Sequence, residues 1–297
     1  MTSASGRVRP TSPTSSPAGP LVVVAGAAGK TGLAVTRAAT AAGLRVRGLV
    51  HRPEQRDVVL AAGAVEAVVT DLRDEASLTA AYGGADAVYH LAPNVDAEEV
   101  PLGALAVHVA RRTGVRRFVL HSVMHPYVPT MPHHVRKAEV EHLVRTSGLL
   151  WTVLQPAAYV QNLVPSDRLA VPYSVDAPFT LVDLLDVAAA AARVLTEDEH
   201  RYATYELAGP TVTSVADVAR LLTERTGREV AAVRLDPDAW QAGPGAALPV
   251  DAARALRAMF DHYDRHGLVG GCRPLADLLG RTPNDVRAVI EREVPAS

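Results

Sequence analysis

The sequence has very little lysine, isoleucine and cysteine, and few aromatic residues. Of its thirty basic residues only Lys30 and Lys137 are lysines, Ile290 is its one isoleucine, and Cys272 is its one cysteine. A single cysteine excludes an internal disulfide and a cysteine-rich zinc site. Because arginine is otherwise the cation of this chain, the two lysines indicate positions where a compact ammonium is needed.

The chain also lacks a long apolar run and a block of basic charge. No segment approaches the 18 or more apolar residues of a membrane span, which excludes a transmembrane protein. The formal net charge is −2 and no run of basic residues is present, which argues against a nucleic-acid partner. With 297 residues, one large domain or two small ones are expected, in a cytoplasmic protein.

Apolar runs and helical patterns alternate along most of the chain. Residues 1–20, rich in Ser, Thr, Pro and Gly, are predicted to be a disordered tail without a secretion signal. Residues 21–156 alternate short strands with helices, which predicts a Rossmann-type, doubly wound parallel sheet of the α/β class. Residues 157–297 follow a looser pattern and are expected to form a smaller C-terminal substrate lobe, interleaved with the first.

The predicted elements can be stated by residue number. Strands are predicted at 21–25, 45–50, 67–70, 87–91, 117–121, 150–155 and 203–207. Helices are predicted at 31–42, 54–62, 74–82, 97–113, 132–147, 181–195, 215–226 and 252–266.

A glycine-rich turn follows the first predicted strand and opens the first helix. Glycines in this place allow a tight turn and the close approach of a pyrophosphate to the helix N-terminus. A Walker A loop is excluded because its first glycine would fall at Val24, inside the strand. The motif therefore predicts a dinucleotide site. Its candidate residues are Gly26, Ala28, Gly29, Lys30, Thr31 and Gly32.

The end of the second strand indicates which dinucleotide is bound. An acidic residue there would bind the ribose of NAD, whereas an arginine accommodates the 2′-phosphate of NADP. This sequence has Arg52 and no acid before Glu54, which favours NADP(H), with Lys30 as a second cation at the same phosphate. An exposed loop arginine without a ligand is the alternative.

Several stretches resemble the NmrA-like branch of the short-chain dehydrogenase/reductase superfamily. The stretch 131–162, MPHHVRKAEVEHLVRTSGLLWTVLQPAAYVQN, carries the most specific part of this resemblance. The other matching stretches are GAAGKTG (26–32), HRP (51–53), TDLRD (70–74), HSVMHP (121–126), YELAGP (205–210) and LLGRTP (278–283).

The resemblance implies further cofactor-binding residues. It places Asp71 and Leu72 beside the adenine, and Lys137 at the nicotinamide ribose. Pro156, with Ala157, is implied beside the nicotinamide. The turn implied at the adenosine ribose is formed by Leu91, Ala92 and Pro93.

The resemblance fails at one position, and this bears on catalysis. The catalytic tyrosine of the superfamily lies four residues before its lysine, where this chain has His133. Some NmrA-like proteins bind a dinucleotide without turnover, so the resemblance supports binding more firmly than catalysis.

A set of polar residues near Lys137 predicts proton transfer. His133 is the candidate general acid because the ordinary pKa of histidine lies near neutrality, and His134 is its alternate. Ser122, at the end of the fifth strand, is the candidate hydrogen-bond donor to a substrate carbonyl. Helix capping and packing are the alternative roles for these side chains. A metal site at the histidines of 121–134 is disfavoured because carboxylate and cysteine ligands are missing.

Two functions of different classes therefore compete. The first is an NADPH-dependent reductase acting on a carbonyl, enone or quinone of a small apolar or aromatic molecule. The second is a sensor that binds NADP(H) and acts through a regulatory protein partner; an isomerase or lyase on the same scaffold is also left open. The sequence favours the reductase and is compatible with a homodimer.

Overall fold

Seven short strands pair into one parallel sheet in the computed structural model, which describes residues 19–296. The strands are β1 (Leu21–Val24), β2 (Arg45–Val50), β3 (Glu66–Val69), β4 (Ala87–His90), β5 (Arg117–His121), β6 (Leu150–Pro156) and, later in the chain, β8 (Ala203–Leu207). Their order across the sheet is β3-β2-β1-β4-β5-β6-β8, and every neighbouring pair is parallel. This confirms the predicted Rossmann-type α/β fold.

Helices cover both faces of the sheet. The helices are α1 (Lys30–Ala41), α2 (Arg56–Ala61), α3 (Glu75–Tyr82), α4 (Glu99–Arg112), α5 (Pro132–Arg145), α6 (Leu184–Thr196), α7 (Val215–Thr226), α8 (Pro237–Ala242), α9 (Val250–His266), α10 (Arg273–Leu279) and α11 (Val286–Glu293). Along β1, Val22 and Val24 pack into the core beneath α1 and α6, whereas Leu21 and Val23 pack against α3 and α4. A strand buried on both faces is a continuous apolar run for this reason.

Elements from the C-terminal half take part in the main layers. β8 lies at the sheet edge beside β6, and α6 packs against α1. A separate two-stranded parallel sheet pairs β7 (Arg168–Val171) with β9 (Ala231–Arg234). The division into a cofactor domain up to residue 156 and a substrate lobe from 157 remains a proposal.

The predicted tail falls almost entirely outside the described residues. Only Gly19 and Pro20 of residues 1–20 are described, and the Pro20 carbonyl accepts a hydrogen bond from the Arg45 amide at 2.9 Å. No helix within residues 19–296 has the length and apolar character needed to cross a membrane.

The order of the strands fixes the place of the site. The chain reverses direction across the sheet between β1 and β4, since β2 lies on one side of β1 and β4 on the other. Ligands of such sheets bind at the carboxyl ends of the strands at this switch point.

Candidate functional site

A cavity of about 740 Å³ opens at the carboxyl edge of the sheet. The segments that follow β1, β2, β3, β4, β5 and β6 all contribute to its walls, together with α5 and residues of the C-terminal half. This is the place that the strand order assigns to a ligand.

The glycine turn forms one end of the cavity. Gly26 has a φ of 65°, and a side chain at Gly32 would come 2.2 Å from the Gly26 carbonyl oxygen. Gly26, Ala28, Gly29, Lys30 and Thr31 line the cavity, whereas Gly32 does not. The missing side chain of Gly32 lets α1 pack against the turn, and the binding of the cofactor by these residues stays a prediction.

The start of α1 is suited to an anion. No side chain caps this helix, and no acidic residue lies in its first turn. The backbone amides of its first turn lie at the helix N-terminus, which carries a partial positive charge and attracts phosphate groups.

The turns after β2, β3 and β4 line the predicted adenosine end. His51, Gln55, Asp71 and Leu72 contribute to the wall. The Gln55 side-chain oxygen accepts hydrogen bonds from the amides of His51 and Arg52, at 3.0 Å each, and so fixes this turn. The predicted turn Leu91–Ala92–Pro93 lines the same end of the cavity.

Arg52 lies beside this wall without forming part of it. Its side chain is exposed, and it forms no ion pair with any residue between 19 and 296. The guanidinium is therefore available to a phosphate, and its role in selecting NADP stays a prediction.

The second part of that prediction assigned Lys30 to the same phosphate. The Lys30 ammonium donates to the Gln161 carbonyl at 2.7 Å and to the Asn162 side-chain oxygen at 3.3 Å. Both acceptors lie in the loop after β6, whereas Arg52 follows β2. Lys30 therefore joins α1 to the loop after β6, and its contact with a phosphate stays a prediction.

Lys137 lies in the cavity wall but is bound to a buried acid. Its ammonium is 2.9 Å from the Glu99 carboxylate, and both side chains are almost fully buried. The close packing of α4 on α5, where Gly103 lies against Val140, brings the two charges together. Glu99 was not predicted, because its only sequence signal is an acid at a helix start.

Ser122 is bound to a second buried acid. Its hydroxyl donates to Glu141 at 2.5 Å, and Glu141 also accepts from Gln155 and Arg145, each at 2.7 Å. Ser122 lines the cavity, but its proton is used by this carboxylate. The predicted donation from Ser122 to a substrate carbonyl is therefore not available in this arrangement.

His133 and His134 both line the cavity from the first turn of α5. Burial, followed by the charge of Lys137, lowers the pKa of His133 to about 3. Burial also lowers the pKa of His134 to about 4. The reason for expecting a histidine acid, an ordinary pKa near neutrality, therefore does not hold here, since both rings are neutral at pH 7.

A chain of hydrogen bonds connects residues of the cavity wall to a buried tyrosine. The Tyr89 hydroxyl lies 2.6 Å from His121 Nδ1, and the Tyr159 hydroxyl lies 3.1 Å from His121 Nε2. Thr31 Oγ1 lies 3.5 Å from the Tyr159 hydroxyl. Pro156 and Tyr159 line the cavity. The sequence identified His121 only as a minor metal candidate, and it left Tyr159 open between lining the pocket and packing the loop after the sixth strand.

The far end of the cavity is aromatic. Tyr173, Phe179, Phe260 and Tyr263 line it, and their ring centroids lie 5.2–5.9 Å apart where they are in contact. Two of the three phenylalanines of the chain are in this group. In a protein that is only 4% aromatic, this concentration indicates a wall for a flat apolar molecule.

The histidines considered for a metal do not form a ligand group in the described residues. The group of metal-ligating side chains that comes together between residues 19 and 296 consists of Glu197, Glu199 and His200. It includes none of the cavity histidines.

Comparison with known proteins shows the family. The model of the NmrA-like family matches residues 19–294. The chain belongs to the NmrA-like family. This confirms the resemblance found in the sequence.

Two proteins that are similar to this NmrA-like protein have names that describe reductases. One is an NAD(P)H azoreductase of Xenophilus azovorans, 30% identical over 250 residues that cover 81% of this chain and 86% of the relative. The other is quinone oxidoreductase 2 of Escherichia coli strain K12, 26% identical over 269 residues that cover 88% of this chain and 94% of the relative.

Solved structures share the fold. An NADPH-dependent quinone oxidoreductase from Escherichia coli, complexed with NADPH, gives a TM-score of 0.78 at 23% identity, over 91% of this chain and 99% of that one. NmrA, a negative transcriptional regulator in complex with NADP, gives a TM-score of 0.75 at 19% identity, over 93% of this chain and 95% of that one. The fold thus serves both a reductase and a regulator.

Proposed function

We propose that this NmrA-like protein is an NADPH-dependent reductase of small conjugated carbonyl compounds. Its substrate is a carbonyl, enone or quinone attached to a flat, apolar molecule. One observation carries the proposal: a single cavity joins the glycine turn to the aromatic wall of Tyr173, Phe179, Phe260 and Tyr263. Cofactor and substrate would then meet over the loop after β6.

The residues at one end of the cavity fit a dinucleotide. The uncapped start of α1 offers backbone amides to a pyrophosphate, and the Arg52 guanidinium, which has no ion-pair partner among residues 19–296, can reach a 2′-phosphate beside the wall. When bound, NADPH supplies a hydride to the substrate. The NADPH and NADP ligands in the names of its structural neighbours agree with this cofactor.

The residues at the other end fit an aromatic acceptor. Aromatic side chains bind flat conjugated molecules through stacked and edge-to-face contacts with ring centroids about 4.5–7 Å apart. The azoreductase and the quinone oxidoreductase among its relatives are named for acceptors of this chemical kind.

Lys137 and His133 would hold the reacting groups in place. Glu99 fixes the Lys137 ammonium in the wall where the resemblance implies the nicotinamide ribose. A neutral His133 has one N–H donor, so it can hydrogen-bond a substrate oxygen without carrying charge. It acts in this proposal as a hydrogen-bond donor rather than as an acid.

The test is the oxidation of NADPH by the purified protein with a panel of acceptors. A benzoquinone and an aryl enone should each be reduced, and an aliphatic ketone should not, because it leaves the aromatic wall unfilled. Phe260→Ala should raise KM for the aryl acceptors by about tenfold while the Kd for NADPH stays unchanged. Arg111→Ala, on the exposed face of α4, is the control variant.

The second candidate is a sensor of NADP(H) without turnover. It is favoured by His133 in place of the superfamily tyrosine and by the likeness to the regulator NmrA. Tight binding of NADPH together with no oxidation by any acceptor of the panel would support the sensor and overturn the reductase.

A further inference from the structure

The proposed reduction needs a proton as well as a hydride, and the residues predicted around the substrate are not suited to supply it. The Ser122 hydroxyl donates its hydrogen bond to Glu141, and burial lowers the pKa of the predicted acids, His133 to about 3 and His134 to about 4. Tyr159 also lines the cavity, and its hydroxyl belongs to the hydrogen-bond chain with His121 and Tyr89. The direction of the hydrogen bonds in this chain decides where the Tyr159 proton points.

Tyr89 fixes the direction at the buried end. Its side chain is fully buried, and His121 Nδ1 is the partner of its hydroxyl within the described part of the chain. A buried hydroxyl proton without an acceptor costs about 1–3 kcal/mol, so Tyr89 donates to Nδ1. A neutral imidazole with Nδ1 as acceptor carries its own proton on Nε2.

His121 is the neutral link between the two tyrosines. Burial, with a smaller contribution from the charge of Lys137, lowers the pKa of His121 to about 3, so that one ring nitrogen is protonated at pH 7. Its Nε2–H therefore donates to the Tyr159 oxygen at 3.1 Å. Thr31 donates to the same oxygen at 3.5 Å. Tyr159 thus accepts twice, and its own proton is left to point into the cavity.

We propose that Tyr159 is the catalytic proton donor. It takes the role of the superfamily tyrosine, whose position in this chain is occupied by His133. The inference rests on the proposed reductase function. His121 and Tyr89 are positioning residues, because they hold the Tyr159 oxygen as an acceptor and turn its proton toward the substrate.

The step balances in atoms and electrons. A hydride, which bound NADPH would supply on becoming NADP⁺, forms a C–H bond on the substrate, breaks its π bond and leaves negative charge on its oxygen. Tyr159 transfers its proton to that oxygen, forming an O–H bond. Burial raises the pKa of Tyr159, and the hydrogen bonds that its oxygen accepts from Thr31 and from the N–H of His121 oppose this rise by stabilising the phenolate. Water returns a proton after the product leaves.

The first test reads the hydrogen bonds without any cofactor or turnover. Long-range ¹H–¹⁵N NMR of the histidine rings distinguishes the two tautomers, and the spectrum of His121→Asn assigns the signal. The Nε2–H tautomer is expected for His121. The Nδ1–H tautomer would overturn the proposal, because His121 would then accept the Tyr159 proton.

The second test is kinetic and uses Tyr159→Phe, which keeps the ring and removes the hydroxyl. We expect kcat to fall by about 100-fold or more with an unchanged Kd for NADPH. The matched control is Tyr205→Phe, which removes the hydroxyl of another tyrosine–histidine pair, Tyr205 with His200 Nδ1 at 2.9 Å, outside the cavity.

Each kinetic outcome either supports or overturns the role of Tyr159 as proton donor. An unchanged kcat for Tyr159→Phe overturns the proton-donor role, and so does a raised Kd for NADPH with kcat unchanged, which would assign the hydroxyl to cofactor binding. A wild-type protein that oxidises no NADPH overturns the reductase function itself and the proton-donor role with it. Active wild-type protein with an equally active variant overturns the role of Tyr159 alone.

Discussion

The ammonium of Lys137 and the carboxylate of Glu99 form an ion pair at 2.9 Å, buried between α4 and α5. Removing one member of a buried pair leaves an uncompensated charge, which costs about 3–5 kcal/mol. Glu99→Gln should therefore lower the free energy of unfolding by about this amount, as measured by urea denaturation.

A double variant separates the charge effect from packing. Glu99→Gln with Lys137→Met removes both charges, so it should recover most of the lost stability while losing the lysine of the cavity wall. If Glu99→Gln alone is as stable as the wild type, the buried ion pair does not hold Lys137 in place.

Ser122→Ala is expected to affect stability rather than chemistry. The hydroxyl donates to the buried Glu141, so its loss should cost about 1–3 kcal/mol of unfolding free energy. Since the hydroxyl proton is not available to a substrate, kcat should stay within about tenfold of the wild type. A fall in kcat of about 1,000-fold at unchanged stability would instead restore Ser122 as a substrate-binding donor.

Arg52→Ala tests the choice between the two dinucleotides. An arginine bound to a phosphate contributes about 1.5–3 kcal/mol, so the Kd for NADPH should rise by about 10-fold or more. The Kd for NADH should not change, because NADH lacks the 2′-phosphate. Fluorescence titration of both dinucleotides gives the ratio, with Arg111→Ala as the control for net charge. An unchanged ratio would show that Arg52 does not select the cofactor.

Buried histidines should make the protein sensitive to acid. The pKa values of His90, His121 and His133 are lowered to about 3 and that of His134 to about 4, in each case mainly by burial. Between about pH 6.5, the ordinary value, and pH 4 the unfolded chain binds more protons than the folded one. The contribution of these histidines to the free energy of unfolding is therefore fully present above pH 6.5. It is lost as the pH is lowered, by up to about 5 kcal/mol per pH unit near pH 5.

One of these histidines allows a direct check. Neither ring nitrogen of the fully buried His90 has a hydrogen-bond partner in the described structure. His90→Leu should reduce the slope of stability against pH by one proton near pH 5 and raise Tm. Equal slopes for the wild type and His90→Leu would mean that His90 is not buried in its neutral form.

The sheet and the glycine turn could be predicted from sequence because local patterns specify them. Apolar runs such as 21–25 and 117–121 are strands buried on both faces, and the turn beginning at Gly26 follows the first of them. β7 and β9 were not predicted, because each is partly exposed rather than a continuous buried apolar run, and within residues 19–296 they pair with each other outside the main sheet. The short helices α8, α10 and α11 were also missed, since they lie outside the strand–helix alternation that indicated α2 and α3.

The chemistry of the site was harder to predict because it depends on contacts between distant segments. Lys137 was identified from the family resemblance and from the scarcity of lysine in the chain, but its partner Glu99 lies on a different helix. The lowered pKa of His133 follows from burial, which the sequence does not state. Lys30 was identified as a site residue, but the loop that it binds becomes its neighbour only when β6 joins the sheet.

Hydride transfer itself is tested most directly by a single turnover with protein, NADPH and a benzoquinone in equal amounts. One NADPH should be consumed for each quinone reduced, and NADPH carrying deuterium at the transferred position of C4 should react more slowly. NADPH that stays bound and unoxidised beside the quinone would contradict the reductase function and indicate a protein that only senses the dinucleotide.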